Sequence, residues 1–163
     1  MNRFEPFVVA LIAGLLPFAP LFLNGPALEL GCHEGQSTVL LADHFDDLTV
    51  VEASSDALAV ARIVAPARVE FVNATIESLV VQRRFKSIFL INTLEHVDDA
   101  QLVLKKICQW LEPDGRFFVL VPNAWAPSRQ IAVRMGLITH HSAITPGEWA
   151  HGHRRTYSFD TLE

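Results

Sequence analysis

Residues 27–35 read Ala27-Leu28-Glu29-Leu30-Gly31-Cys32-His33-Glu34-Gly35. A short apolar run ends at a glycine, and a second glycine follows four positions later. Glycine takes positive φ without steric cost, so the pattern predicts a strand running into a sharp turn that can approach a ligand closely. The flanking sequence extends this into an alternation. Ser37 to Phe45, with Val39, Leu40, Leu41 and Phe45, predicts a helix. Leu48 to Val51 predicts strand two, ending at Glu52. Ser54 or Ser55 caps a helix carrying Ala57, Ala59, Val60 and Ile63, and Pro66 stops it. Val69 to Val72 is strand three, and Ser87 to Ile91 is strand four, a nearly continuous apolar run suited to a strand buried on both faces. Asp98 and Asp99 open a helix whose Leu104, Ile107, Cys108 and Leu111 keep helical spacing. Pro113-Asp114-Gly115 is a turn and Phe117 to Val121 is strand five. The alternation predicts an α/β fold, an open and mostly parallel sheet with helices on both faces and right-handed crossovers.

Ligands of such sheets sit at the carboxyl ends of the strands. Strand two ends in Glu52, strand three runs into Asn73-Ala74-Thr75-Ile76, strand four ends at Ile91-Asn92, and strand five at Val121-Pro122-Asn123. A carboxylate is an acceptor only and suits a vicinal diol, which offers two donors. With the glycines at 31 and 35 this describes a nucleoside pocket. A dinucleotide site needs G-x-G-x-x-G, but His33 and Gln36 stand where its second and third glycines belong. A nicotinamide-dependent oxidoreductase is therefore disfavoured.

The chain has 163 residues, 50% of them hydrophobic and 19% charged, which predicts one domain with a sizeable core. Its formal net charge is -5 and it has no basic tract, which argues against nucleic-acid binding. Two cysteines, Cys32 and Cys108, exclude a disulfide scaffold and a four-cysteine zinc site, leaving the cytoplasm as the default compartment. Residues 1–26 form an apolar N-terminal helix and link, and 27–163 the domain proper. Phe7 to Leu23 is 17 residues, 14 of them apolar, short of the roughly 20 that a span needs and interrupted by Pro17 and Pro20. The expectation is a buried helix over 6–16 followed by an irregular apolar link. Peripheral membrane contact and a targeting segment are the alternatives.

The chain resembles the class I, Rossmann-like, S-adenosylmethionine-dependent methyltransferases of small-molecule type. Glu29 to Gly35 resembles that family's first motif and Val50-Val51-Glu52-Ala53 its second. Phe85-Lys86-Ser87-Ile88 with Leu94-Glu95-His96-Val97 resembles its F-D-x-I…L-E-H-V stretch, and Trp110 to Arg116 its L-x-P-G-G-R turn. Val121-Pro122-Asn123 and His151 to Ser158 resemble later segments. The resemblance implies strand order 3-2-1-4-5 followed by strands seven and six. Those last two are missing from this sequence, so strand five is expected to be a free edge through which copies could associate. The expectation is a truncated gene product, a fragment or a variant. Three departures stand out: His33 for a middle glycine, Lys86 for an aspartate, and Asp114 for a glycine. Histidine is enriched at positive φ, so the turn is expected to survive.

By resemblance, the backbone from Gly31 through Cys32 and His33 to Gly35 holds the methionine part of the cofactor, with Glu29 ordering that loop. Glu52 takes the ribose hydroxyls, Ala53 and Ala74-Thr75-Ile76 flank the adenine, and Asn92 lines the methionine side. The implied reaction is SN2 transfer of methyl from the sulfonium to an oxygen, nitrogen or carbon of a small-molecule acceptor of sugar, lipid or quinone type, leaving S-adenosylhomocysteine. His96 and His153 are candidate bases, with His151 and Tyr157 behind them. Cys108 reads as a packing residue on an apolar helix face. Trp125, Ser128, Arg129, Arg134, Arg154 and Arg155 hint at an anionic acceptor. Two other readings remain: a non-catalytic nucleotide-binding module, and a metal site on His140, His141, His151 and His153 with Glu148.

Overall fold

The computed structural model describes residues 14–162. Most of the helix expected over 6–16 lies outside them. Among the described residues five strands form one sheet: β1 (Ala27–Leu30), β2 (Leu48–Glu52), β3 (Glu70–Asn73), β4 (Phe85–Ile91) and β5 (Leu111–Leu120). All pairings are parallel and the order is β3-β2-β1-β4-β5. Helices α1 (Gln36–Ala42), α2 (Ser55–Val64) and α3 (Ala100–Trp110) connect β1 to β2, β2 to β3 and β4 to β5, a loop joins β3 to β4, and α4 (Pro127–Arg134), α5 (Pro146–Ala150) and α6 (Phe159–Leu162) follow β5.

Alternate strand residues supply two apolar layers. Leu28, Leu30, Ile88 and Leu90 pack on one face with Val103, Ile107 and Trp110 of α3. Ala27, Val50 and Phe89 pack on the other with Leu41 and Ala42 of α1 and Ala61 of α2. Burial on both faces explains the unbroken apolar runs of the central strands. Ser54 caps α2 by accepting from the Ala57 amide, and Asp99 caps α3 by accepting from the Leu102 amide.

Several expectations need correction. Cys108 is exposed, because the buried stripe of α3 runs through Val103, Ile107 and Trp110. Phe45 lies beyond the end of α1, yet it is buried against Phe22 and Phe89. Strand five starts directly after α3 and ends at Leu120, so Pro113-Asp114-Gly115 is inside it as a bulge. Pairing with β4 jumps there from Phe85↔Leu111 to Ser87↔Arg116. Two of the sequence departures also turn out to be one. Lys86 Nζ lies 2.6 Å from Asp114 Oδ1 and 3.1 Å from Glu112 Oε2, so the lysine on β4 answers the acids in the bulge beside it. Hydrogen bonds to those acids raise the pKa of Lys86, and the Lys86 bond lowers that of Asp114.

The described part of the N-terminal apolar run covers the sheet. Residues Leu16–Leu21 form a 3-10 helix around Pro17 and Pro20. Leu15 is buried in the core. Phe22 meets the rings of Phe45, Phe89 and Phe118 at 5.0–5.6 Å, and Arg116 holds the Leu21 carbonyl at 2.6 Å. Among the described residues no helix is long and apolar enough to cross a membrane.

Candidate active site

The chain leaves β1 for β2 and β3 on one side and returns to β4 on the other, so the carboxyl ends of β1 and β4 form the switch point of the sheet. A cavity of about 840 Å³ opens there.

Three residues of the loop after β1 have positive φ: Gly31 (79°), His33 (50°) and Gly35 (88°). His33 therefore adopts the left-handed turn without glycine. Gly31 is needed for close approach as well as for φ, because a Cβ there would overlap the side chain of Thr93. Glu52, at the end of β2, accepts the His33 amide at Oε2 and the Ser54 amide at Oε1, both at 2.8 Å. Each oxygen keeps a lone pair for a ligand hydroxyl. The Asn73 side chain donates to the carbonyls of Glu52 and Ala53 at 2.8 and 3.0 Å, fixing the ends of β2 and β3 together.

Gly31, Cys32, His33, Glu52, Ala53, Ala74, Thr75, Ile76, Asn92, His96 and His153 all line the cavity. Glu29 and Gly35 do not. Glu29 lies beneath the loop, 1% exposed, and accepts hydrogen bonds from Ser37 and, at 2.6 Å, from Thr38 on α1. Burial pushes its carboxyl up to about 7 against the pull of those two hydroxyls. Gly35 is the N-cap of α1, and a Cβ there would stand 3.0 Å from Ala61 of α2. Cys32 is buried near Glu29 and Glu52, which pushes its thiol up to about 12, so it is no nucleophile at neutral pH. Asn92 sits at φ 47° and its amide bonds to Leu120, which turns the chain into the cavity wall.

Thr93 and Glu95, which sequence reading gave no role, also line the cavity, as does Pro122 after β5. Glu95 stood within the quoted L-E-H-V stretch, but nothing local marks its burial. Residues 153–157 fold back onto that stretch. Arg154 donates its amide to the Glu95 carbonyl at 2.9 Å and Nε to that of His96 at 3.0 Å, and Tyr157 donates its hydroxyl to Leu94 at 3.2 Å. Tyr157 is thus a buried tie. Burial, then the neighbouring His153 ring, lowers the pKa of His96, which favours the neutral imidazole.

The histidine set expected as a metal site does not assemble. His141 stacks on Trp125, His151 bonds to the Gly147 carbonyl at 2.7 Å, and Glu148 pairs with Arg129. Three of the arginines read as acceptor-binding are engaged elsewhere: Arg129 with Glu148, Arg154 with Asp98, and Arg155 with the Val97 and Asp98 carbonyls.

An open parallel α/β sheet with a glycine turn, a carboxylate on β2 and a cavity at the switch point defines a nucleoside-cofactor protein of the Rossmann-like type. A family described as a methyltransferase domain matches residues 2–163. The chain is 29% identical over 114 residues to the trans-aconitate 2-methyltransferase of Sinorhizobium medicae (strain WSM419), covering 69% of this chain and 38% of that protein. It is similar to the crystal structure of the glycopeptide N-methyltransferase MtfA complexed with S-adenosyl-L-methionine, with TM-score 0.59 and 25% identity over 68% of this chain and 55% of that one. The YcgJ protein of Bacillus subtilis shares the fold at TM-score 0.70 and 18% identity, covering 92% of this chain and 64% of that one. The chain belongs to the methyltransferase-domain family, and it spans well under two thirds of the curated relative's length.

Proposed function

We propose that this chain binds S-adenosylmethionine at the switch point and acts in methyl transfer to a small-molecule acceptor. The observation that carries this is Glu52, held by two loop amides with free lone pairs toward a cavity whose wall is a turn of positive φ. At about 840 Å³ the cavity has the size of a small-molecule site. The glycine at 31 gives the close backbone approach that a cofactor of this shape requires.

The bound cofactor would supply an activated methyl group on a sulfonium centre. The chain's residues bind and orient. Glu52 accepts the ribose hydroxyls. Ala53 and Ala74, Thr75 and Ile76 present an apolar slot to the adenine. Backbone from Gly31 through Cys32 to His33 faces the methionine part, with Asn92 opposite. Glu29 and Gly35 act from behind by fixing the loop to α1. Held by these residues, the sulfonium would offer its methyl carbon to an acceptor lone pair, with sulfur as the leaving group. Orientation supplies much of the rate, since well-placed reactants reach effective molarities of about 10⁵ M or more. An acceptor bearing a proton would meet His96 and His153 at the cavity's mouth. The cytoplasm is the compartment in keeping with this chemistry. Among the described residues β5 is an edge of the sheet, and pairing of two copies along it belongs to the same reading.

Calorimetric titration with S-adenosylmethionine tests the proposal. Saturable one-to-one binding is expected. In Glu52→Ala the loss of charge-assisted bonds, about 1.5–3 kcal/mol apiece, weakens it at least tenfold. Equal affinity in the variant, or no binding by the folded chain, would overturn the proposal.

A further inference from the structure

One corner of the cavity's mouth holds more chemistry than methyl transfer uses. Glu95 is 1% exposed, and neither of its carboxylate oxygens has a hydrogen-bond partner among the described residues. Nδ1 of His153 is likewise buried and unpartnered. Nε2 of His96 lies 4.0 Å from Glu95 Oε1, and the His96 and His153 rings meet edge-on with centroids 4.7 Å apart. Ligating atoms of all three residues lie within 4.8 Å of one another.

A buried carboxylate with no donor is costly, and buried polar groups in folded proteins are almost always answered. A ring nitrogen of each imidazole lies within 4.8 Å of a Glu95 carboxylate oxygen and of the other ring's nitrogen. The His96 ring is 36% exposed and reaches solvent, whereas the Glu95 carboxylate and Nδ1 of His153 do not. A single divalent cation answers all three. We propose that Glu95, His96 and His153 bind a divalent transition-metal ion of the zinc type at the mouth of the cavity. Two imidazoles and one carboxylate are ligands such ions prefer, and three protein ligands leave a position open.

The chain is built to bring these residues together. Glu95 and His96 occupy the turn between β4 and α3. The strap from His153 to Tyr157 is tied over that turn by Arg154 to Glu95 and His96, and by Tyr157 to Leu94. Metal–ligand bonds of about 2.0–2.2 Å put tetrahedral ligands roughly 3.4 Å apart, so atoms now within 4.8 Å of one another close by up to about 1.4 Å. All three residues face the cavity, so the open position is reached from the acceptor's side. A ring nitrogen that holds a cation accepts no proton, so in the loaded protein His96 and His153 are ligands and not bases.

The test is titration of chelator-stripped, untagged protein with Co²⁺, followed by Zn²⁺ displacement. Cobalt absorption in the visible reports nitrogen and oxygen ligands directly. One equivalent is expected, displaced by zinc. Removing even an outer-shell partner of a metal ligand costs about 10–100-fold in affinity, so Glu95→Gln and His153→Ala should each cost about 100-fold or more. The His140→Ala/His141→Ala double variant should bind as the wild type does. Circular dichroism checks each fold. Should Glu95→Gln prove unfolded, His153→Gln at its half-buried position takes its place, with the same loss expected. Absence of saturable cobalt binding by folded protein, or binding indifferent to Glu95 and His153, would overturn the assignment. S-adenosylmethionine titrations run alongside, so a lost metal site and a lost cofactor site are read separately.

Discussion

Replacing Glu29 by glutamine should remove a pH dependence of stability that the wild-type chain carries. The side chain is fully buried beneath the β1 loop, and burial raises its pKa from 4.5 to about 7 despite the Ser37 and Thr38 hydroxyls. A group whose folded pKa lies above its unfolded one favours folding below the unfolded value, and that contribution fades as pH rises through the folded value. At 1.36 kcal/mol per unit the loss totals about 3 kcal/mol, of which about 2.5 kcal/mol falls between pH 5 and 8. Glutamine mimics the protonated carboxyl in shape and stays neutral. Urea unfolding of both proteins at pH 5, 6, 7 and 8 isolates the effect, because Glu95, which burial also pushes up to about 7, is common to both. The stability of Glu29→Gln relative to wild type should rise by about 2.5 kcal/mol across that range. A difference that stays flat with pH would refute a raised Glu29 pKa.

Two further expectations follow from the loop and its surroundings. Gly35→Ala combines φ 88° with a Cβ 3.0 Å from Ala61, and should cost at least about 2 kcal/mol in denaturant unfolding. Gly136→Ala, at φ 70° with nothing within 4 Å, should cost only about 1 kcal/mol, and equal losses would discount the contact with α2. Phe22→Ala should cost about 2–3 kcal/mol, because its ring packs on Phe45, Phe89 and Phe118. A negligible loss would mean that this apolar segment does not cover the sheet.

The central strands and the strand-end residues that line the switch-point cavity were legible because their signals are local. Apolar runs such as Ile88 to Ile91 mark strands buried on both faces, glycines 31 and 35 mark a turn of positive φ, and Glu52 ends its strand at a fixed distance from that turn. None of these needs a distant partner to be read. Boundaries were less legible where side chains outside the element decide them. Phe45 is buried by Phe22, not by α1, and Leu111 joins β5 through pairing with Phe85. Cys108 was placed on the wrong side of α3 because several stripes share helical spacing and only the sheet selects one.

What the sequence by itself determined is the alternation of strands and helices and the carboxyl-end residues that line the cavity. These follow from periodicity and turn chemistry within a few residues. Only the tertiary structure decided what those residues meet. It joined Lys86 to Asp114, which are 28 positions apart, so two departures from the family pattern became one ion pair. It spent Arg129 on Glu148 and Tyr157 on the Leu94 carbonyl, removing them from the list of ligand-binding groups. It also strapped His153 over Glu95 and His96. The reason is that charge pairing and burial depend on through-space distance, which chain closure sets and local pattern does not encode.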